Sequence, residues 1–315
     1  LWTGVRYYTG ATPSGRTSGP QAAPEKVFKL HNSGSAALKL TLSLAGAGAA
    51  RFKILAPAAP ELDVAPGADA EVRLGIVTDN AMLGAAPAQN DGATVLDASL
   101  EITGGSKKLS VRNYALVLTY VELEPTFGQI LRAFPEWTTK LPEWLPDNAN
   151  PNPATLPGVV AGTDEVAAPT FERLDPTKPV TLRPLARFSP VGLVPFGWYE
   201  PGKIAGRTTA GTLAMQTDPQ TNDKARMLEP PLASGNASFE PSVSKFGIWM
   251  APAGVGLLTS NDADGFDGAH RVRAFSLRDA QGAVVPGSFL IGGEEAKNGD
   301  YQDYVFVLTN VKPSP

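Results

Sequence analysis

Over residues 38–118 the apolar side chains of this chain return at every second position, and a period of two commits it to β-strands rather than helices. Leu38, Leu40, Leu42 and Leu44 line one segment, Val72, Leu74 and Ile76 a second, and Leu96, Ala98, Leu100 and Ile102 a third. Leu109 and Val111 keep one phase before Tyr114, Leu116, Leu118 and Tyr120 take the other, which predicts a β-bulge near Asn113. Alternation returns in 180–187, 196–199, 246–250, 271–277, 288–291 and 304–311. Tyr304, Val305, Phe306, Val307 and Leu308 are apolar on both faces, so this strand is expected inside a sheet covered on both sides. With 32 glycines and 29 prolines, about a fifth of the 315 residues, the strands are expected to be short and joined by turns.

The pattern divides the chain into four parts. Residues 1–24, rich in Gly, Ser, Thr and Pro with aromatics at Trp2, Tyr7 and Tyr8, form an N-terminal arm, the tail of an upstream domain or an unstructured end. Residues 25–122 form one β-sandwich, 123–162 a connector rich in Pro and Trp, and 163–315 a second β domain. Within the connector, Thr126 is placed to cap a short helix with Phe127, Ile130, Leu131 and Phe134 on one face, ended by Pro135. Trp137 and Trp144 are costly to leave in water and are expected to pack on a neighbouring domain; a sugar-binding platform is the alternative. The insertion at residues 81–94 is a loop or a contact surface.

Composition narrows the chemistry. A formal net charge of −4 with mixed signs leaves no electrostatic footprint for nucleic acid. No apolar run reaches the roughly 18 residues of a membrane helix, and a start without methionine or signal sequence reads as a processed chain or excised fragment. Absence of cysteine rules out disulfides, thiolate metal sites and a cysteine nucleophile, and two histidines, His31 and His270, argue against a multi-histidine centre. Oxygen-ligated hard cations stay open.

Phe28, Leu30, Asn32 and Gly34, followed by Leu38, Leu40, Phe52, Ile54, Leu62, the Pro66-Gly67 turn and the strand at 71–76, resemble the immunoglobulin-like module of the Hydin and abnormal-spindle families and of many bacterial surface proteins. That resemblance covers about residues 25–120. It implies a scaffold or interaction module without an active site.

Two acidic, glycine-punctuated segments carry the functional expectation. The first is Asn261-Asp262-Ala263-Asp264-Gly265-Phe266-Asp267-Gly268; the second runs from Glu294 and Glu295 through Lys297, Asn298, Gly299 and Asp300 to Asp303. Carboxylates gathered by a fold repel one another, and a calcium ion, with six to eight oxygen ligands, removes that repulsion while tying loops together. A helix-flanked calcium loop is excluded, because Arg273 falls where its final glutamate would stand. The assigned ligands are therefore Asp262, Asp264, Glu294, Asp300 and Asp303, with Asn261, Asp267 and Asn298 as amide, carboxylate or water-mediated contributors. The competing reading makes these residues Asx-type turns, with Lys297 neutralising part of the cluster. His270 is read as a structural histidine rather than a ligand.

Gly197-Trp198-Tyr199, Phe246-Gly247-Ile248-Trp249, the 261–270 segment and 294–306 are together similar to a domain of unknown function near the C-termini of secreted bacterial proteins with repeat or anchor modules. In that family Asp-Phe-Asn-Asp precedes the last strand; here Asp300-Tyr301-Gln302-Asp303 stands instead. The resemblance implies a jelly-roll β-sandwich with calcium sites and no established enzyme activity. No nucleophile-elbow, zinc-protease or phosphate-loop motif occurs. Trp198 and Tyr199 are candidate glycan-stacking rings, and Glu200 beside them keeps a glycoside hydrolase as a lesser alternative. The expectation is thus an all-β, exported bacterial surface, matrix or assembly protein, of two sandwiches, immunoglobulin-like and then jelly-roll-like. Its second domain is stabilised by calcium, and its partners are other cell-surface or matrix proteins, glycans or copies of itself.

Overall fold

The computed structural model describes residues 6–8, 26–76, 93–118, 125–142, 158–215, 224–296 and 299–314. Among the described residues strands far outnumber helices, which makes the chain all-β. It divides into two compact units, Leu1–Leu123 and Glu124–Pro315.

The first unit contains β1 (Arg6–Tyr8), β2 (Lys26–His31), β3 (Leu38–Ala45), β4 (Phe52–Ala56), β5 (Glu61–Val64), β6 (Asp69–Ile76), β7 (Ala93–Gly104) and β8 (Lys107–Leu118). A sheet in the order β1-β8-β7-β3-β5 and a second in the order β2-β6-β4 form the sandwich. Leu42, Leu100, Ile102 and Val111 from the first meet Phe28, Val72 and Leu74 from the second in one core. The Asn32, Gly34 and Pro66-Gly67 signature has a local cause. Buried Asn32 donates its amide to the Val64 and Ala36 carbonyls, both at 2.9 Å, and accepts from the Gly34 N–H, while Gly67, at φ +70°, donates to the Asn32 carbonyl. His31, opposite Asp69 across β2 and β6, accepts or donates a 2.7 Å bond to it at the exposed surface.

The bulge expected near Asn113 is not present. β7 and β8 pair without a slip from Ala93↔Leu118 to Gly104↔Lys107. Asn113 instead keeps the inward phase of Val111, 1% exposed, with its Nδ2 donating to the Val111 carbonyl at 2.8 Å. A polar side chain satisfied by its own strand occupied a core position, and from sequence that imitated a change of face.

In the second unit come α1 (Phe127–Arg132), β9 (Trp137–Thr138), β10 (Phe171–Arg173), β11 (Val180–Pro190), β12 (Val194–Tyr199), β13 (Thr208–Leu213), β14 (Lys224–Leu228) and β15 (Leu232–Gly235). They are followed by β16 (Ser238–Phe239), β17 (Gly247–Met250), β18 (Leu258–Thr259), β19 (Val272–Asp279), β20 (Val284–Gly293), β21 (Tyr304–Thr309) and β22 (Val311–Pro313). One sheet runs β14-β11-β21-β20-β19-β9, with β16 also on β11, and the other β15-β13-β12-β17-β18. Phe289, Ile291, Phe306 and Leu308 of the first sheet pack with Phe196, Ile248 and Met250 of the second. β21 lies between β11 and β20, and all five residues 304–308 are buried, as their two-faced apolarity requires.

The described part of the connector is built into this second sandwich. Thr126 and Gln129 close a capping box at the start of α1. Phe127 then meets Phe275 with ring centroids 5.7 Å apart. β9 adds to the edge of β19, and Trp137 lies beside Phe134 and under the Arg183 guanidinium. Asp164 completes the attachment: its carboxylate accepts two bonds from Arg278, at 2.7 and 2.8 Å, and one from the Lys140 N–H. Trp144, most of the 81–94 insertion and most of the N-terminal arm lie outside the described residues.

Candidate metal centre

Glu294 leaves the end of β20, and Asp300 and Asp303 stand in the loop that enters β21. Close backbone approach brings them together. The Glu294 N–H donates to the Arg271 carbonyl at 2.9 Å, the Phe188 N–H to the Asp303 carbonyl at 3.0 Å, and Gly293 bridges Gln302. A Cβ at Gly292 would lie 2.9 Å from the Tyr301 carbonyl oxygen, so only glycine admits this approach. On either side of Asp300 the chain turns through Gly299, at φ +73°, and Tyr301, at φ +52°. For tyrosine that conformation is strained, and it is held by a fully buried ring whose hydroxyl donates to the His270 carbonyl and whose face lies 4.9 Å from the Arg273 guanidinium.

The outcome is three carboxylates, 1%, 4% and 6% exposed, each with an oxygen within 4.8 Å of the others. Burial, and next the charge of Asp300, push the Glu294 carboxyl up to about 7. Burial, then the charges of Glu294, Asp300 and Glu295, hold Asp303 well above the usual carboxylate range. Backbone N–H groups offset this in part: Tyr301 donates to Glu294 Oε2 at 3.4 Å, and Glu295 to Asp303 Oδ2 at 2.7 Å. Glu294 Oε1 is sealed from water and has no hydrogen-bond partner. Gln302, fully buried, donates Nε2 to Asp300 Oδ2 at 3.2 Å. This donor set is all oxygen, and it is the set a hard divalent cation takes.

The 261–268 segment does not join it. Asp262 accepts His270 Nδ1 on both oxygens, at 2.9 and 3.0 Å. Asp264 accepts from Asn261 Nδ2 at 2.9 Å and from the Gly202 N–H at 3.3 Å. Asp267 takes Arg271 Nη2 at 2.7 Å and the Ala269 N–H at 3.1 Å, and Asn261 caps the 3-10 turn at 262–264. Thus Asn261, Asp262, Asp264 and Asp267 serve turns and cationic side chains, and the two-loop site expected from sequence reduces to Glu294, Asp300 and Asp303 among the described residues. Asn298 and Lys297 lie outside them.

Trp198 and Tyr199 are also reassigned. They are 8% and 0% exposed, so neither ring offers a face to a sugar. Glu200, for its part, pairs with Lys203 at 2.8 Å on the surface.

Sequence reasoning did not find the charges buried behind the triad. Arg273, 0% exposed, pairs with Glu165 and donates to the Gly158 carbonyl, and His270 Nε2 lies 3.8 Å from Glu165. Burial alone would lower the His270 pKa, but its bonds to Asp262 and Glu165 outweigh that and raise it. Arg187, 1% exposed, donates to Ser189 Oγ and to the Ala214 and Pro190 carbonyls. The available signal was an arginine next to large apolar residues in a strand, Arg187 before Phe188 in β11 and Arg273 after Val272 in β19.

No protein-family model matches the chain, and no curated protein does. Among solved structures it is similar to the CupB2 chaperone of Pseudomonas aeruginosa, at 11% identity and a TM-score of 0.24 over 81% of this chain and 94% of that one. The periplasmic chaperone SfaE gives 12% and 0.27 over 81% and 93%. A chain of the Salmonella enterica SafA pilin–SafB chaperone complex gives 10% and 0.26 over 82% and 88%. TM-scores this low establish neither a shared arrangement nor a shared function.

Proposed function

We propose that this is a non-enzymatic, exported surface, matrix or assembly protein whose C-terminal sandwich is held closed by one calcium ion on Glu294, Asp300 and Asp303. The observation that carries the metal is the meeting of three buried carboxylates, each with an oxygen within 4.8 Å of the others. Buried carboxylates this close cannot all ionise without repelling one another, and a divalent ion removes that repulsion by replacing the protons these groups otherwise retain. Gln302 orients Asp300 by donating Nε2 to its Oδ2, and calcium tolerates the irregular geometry of a loop better than magnesium does. The ion acts mechanically, joining the end of β20 to the entry of the central strand β21. The assembly role follows from the resemblance of residues 25–120 to an immunoglobulin-like interaction module; its partners are other surface or matrix proteins.

Calcium at about a hundred times its Kd stabilises by roughly 2.7 kcal/mol, equivalent to about 5–10 °C for a unit of this size. Differential scanning fluorimetry with calcium and with a chelator measures this directly. A melting temperature that ignores both removes the metal. Fractionation of the producing cells tests the other half, since recovery in the cytosol alone removes the exported role.

A further inference from the structure

A cavity of about 220 Å³ opens in the second sandwich, and none of its lining residues belongs to the carboxylate triad. Its floor is core: Phe171, Ile248, Val272 and Ile291, all at most 3% exposed, come from β10, β17, β19 and β20. An apolar void at the meeting of two sheets loses dispersion contacts on every wall, and an apolar guest of the right size restores them. An apolar cavity of about 150 Å³ suffices for a benzene ring, so this one admits a single ring with a short arm.

The mouth selects the other end of the guest. Ser260 Oγ is occupied, accepting from the Ile248 N–H and donating to the Pro169 carbonyl, and Asn261 is occupied by Asp264 and the Ala263 N–H. Asp262 differs: its side chain is 35% exposed, and both oxygens share one donor, His270 Nδ1. A carboxylate has about four acceptor positions, so this group has capacity for a further donor. Around it Arg271 is engaged by Asp267 and Arg273 by Glu165, while Asp264 adds negative charge, so the mouth is acidic even with His270 protonated.

We propose that this cavity binds a small aralkylamine-type ligand, its single apolar ring seated between the sheets and its ammonium head on Asp262. The site shares no side chain with the carboxylate triad, and it is tested both with calcium and in chelator. The probes are phenethylamine, phenylacetate as its anionic counterpart and toluene as the ring alone, followed by saturation-transfer NMR and titration. Phenethylamine is expected to bind at least tenfold more tightly than phenylacetate. Asp262→Asn, which keeps an acceptor for His270, should weaken phenethylamine about tenfold while leaving toluene unchanged. Ala167 lines the mouth and is exposed, so Ala167→Trp blocks entry with little risk to folding and should abolish both. Equal binding of amine and acid, binding that survives Ala167→Trp, or no binding by any probe overturns the proposal.

Discussion

At the residue scale, the second unit is governed by charges that the fold buries and then answers. Glu165, 1% exposed at its side chain, would be pushed up by burial, but His270 and Arg273 outweigh that and hold its carboxyl below the usual range. Removing one partner strands the other, so Arg273→Met or Glu165→Leu should each cost about 3–5 kcal/mol in urea denaturation, and the double replacement less than either. For Glu294 the balance runs the other way. Its folded-state value is about 7 against an ordinary 4.5, so between those values the folded chain holds a proton that the unfolded chain has released. Without calcium, stability should therefore fall as pH rises from about 4.5 to 7, while the calcium-induced rise in Tm should grow over the same interval. Asp303→Asn removes a repelling charge: in chelator at pH 8 it should melt above the parent protein, and it should no longer respond to calcium. A parent-like calcium shift in that variant would remove Asp303 from the site.

At the element scale, local sequence was a reliable guide wherever the cause was local. The α1 capping box needs only Thr126 and Gln129, three residues apart, and the structure contains it. Thr126→Ala should cost about 1 kcal/mol, measured as a shift in denaturation midpoint with an unchanged slope. β3, β6, β7 and β21 were legible from alternation or two-faced apolarity. β13, β15, β16 and β18 were not, because two to six residues with a single large apolar side chain each carry too little contrast to reveal a period. The apparent slip at Asn113 failed for a related reason, since a buried amide satisfied by its own strand looks like a surface residue in the sequence.

At the scale of the whole molecule, each of the two units has its own core, so calorimetry should resolve two transitions, of which calcium moves only the one belonging to Glu124–Pro315. A single transition, or a shift in both, would contradict that division of labour. The sequence alone determined that the chain is all-β, that β21 is internal, and that acidic residues cluster ahead of it, because period, apolarity and composition are properties of a segment. Only the tertiary structure decided which carboxylates share a site. Asp262, Asp264 and Asp267 met a histidine, turn amides and an arginine, whereas Glu294, Asp300 and Asp303 met one another. The sign and burial of a carboxylate's neighbours set its chemistry, and which neighbours face one another is decided by how each loop is folded back, as when the Phe188 N–H and the Arg271 carbonyl pin the 294–303 segment.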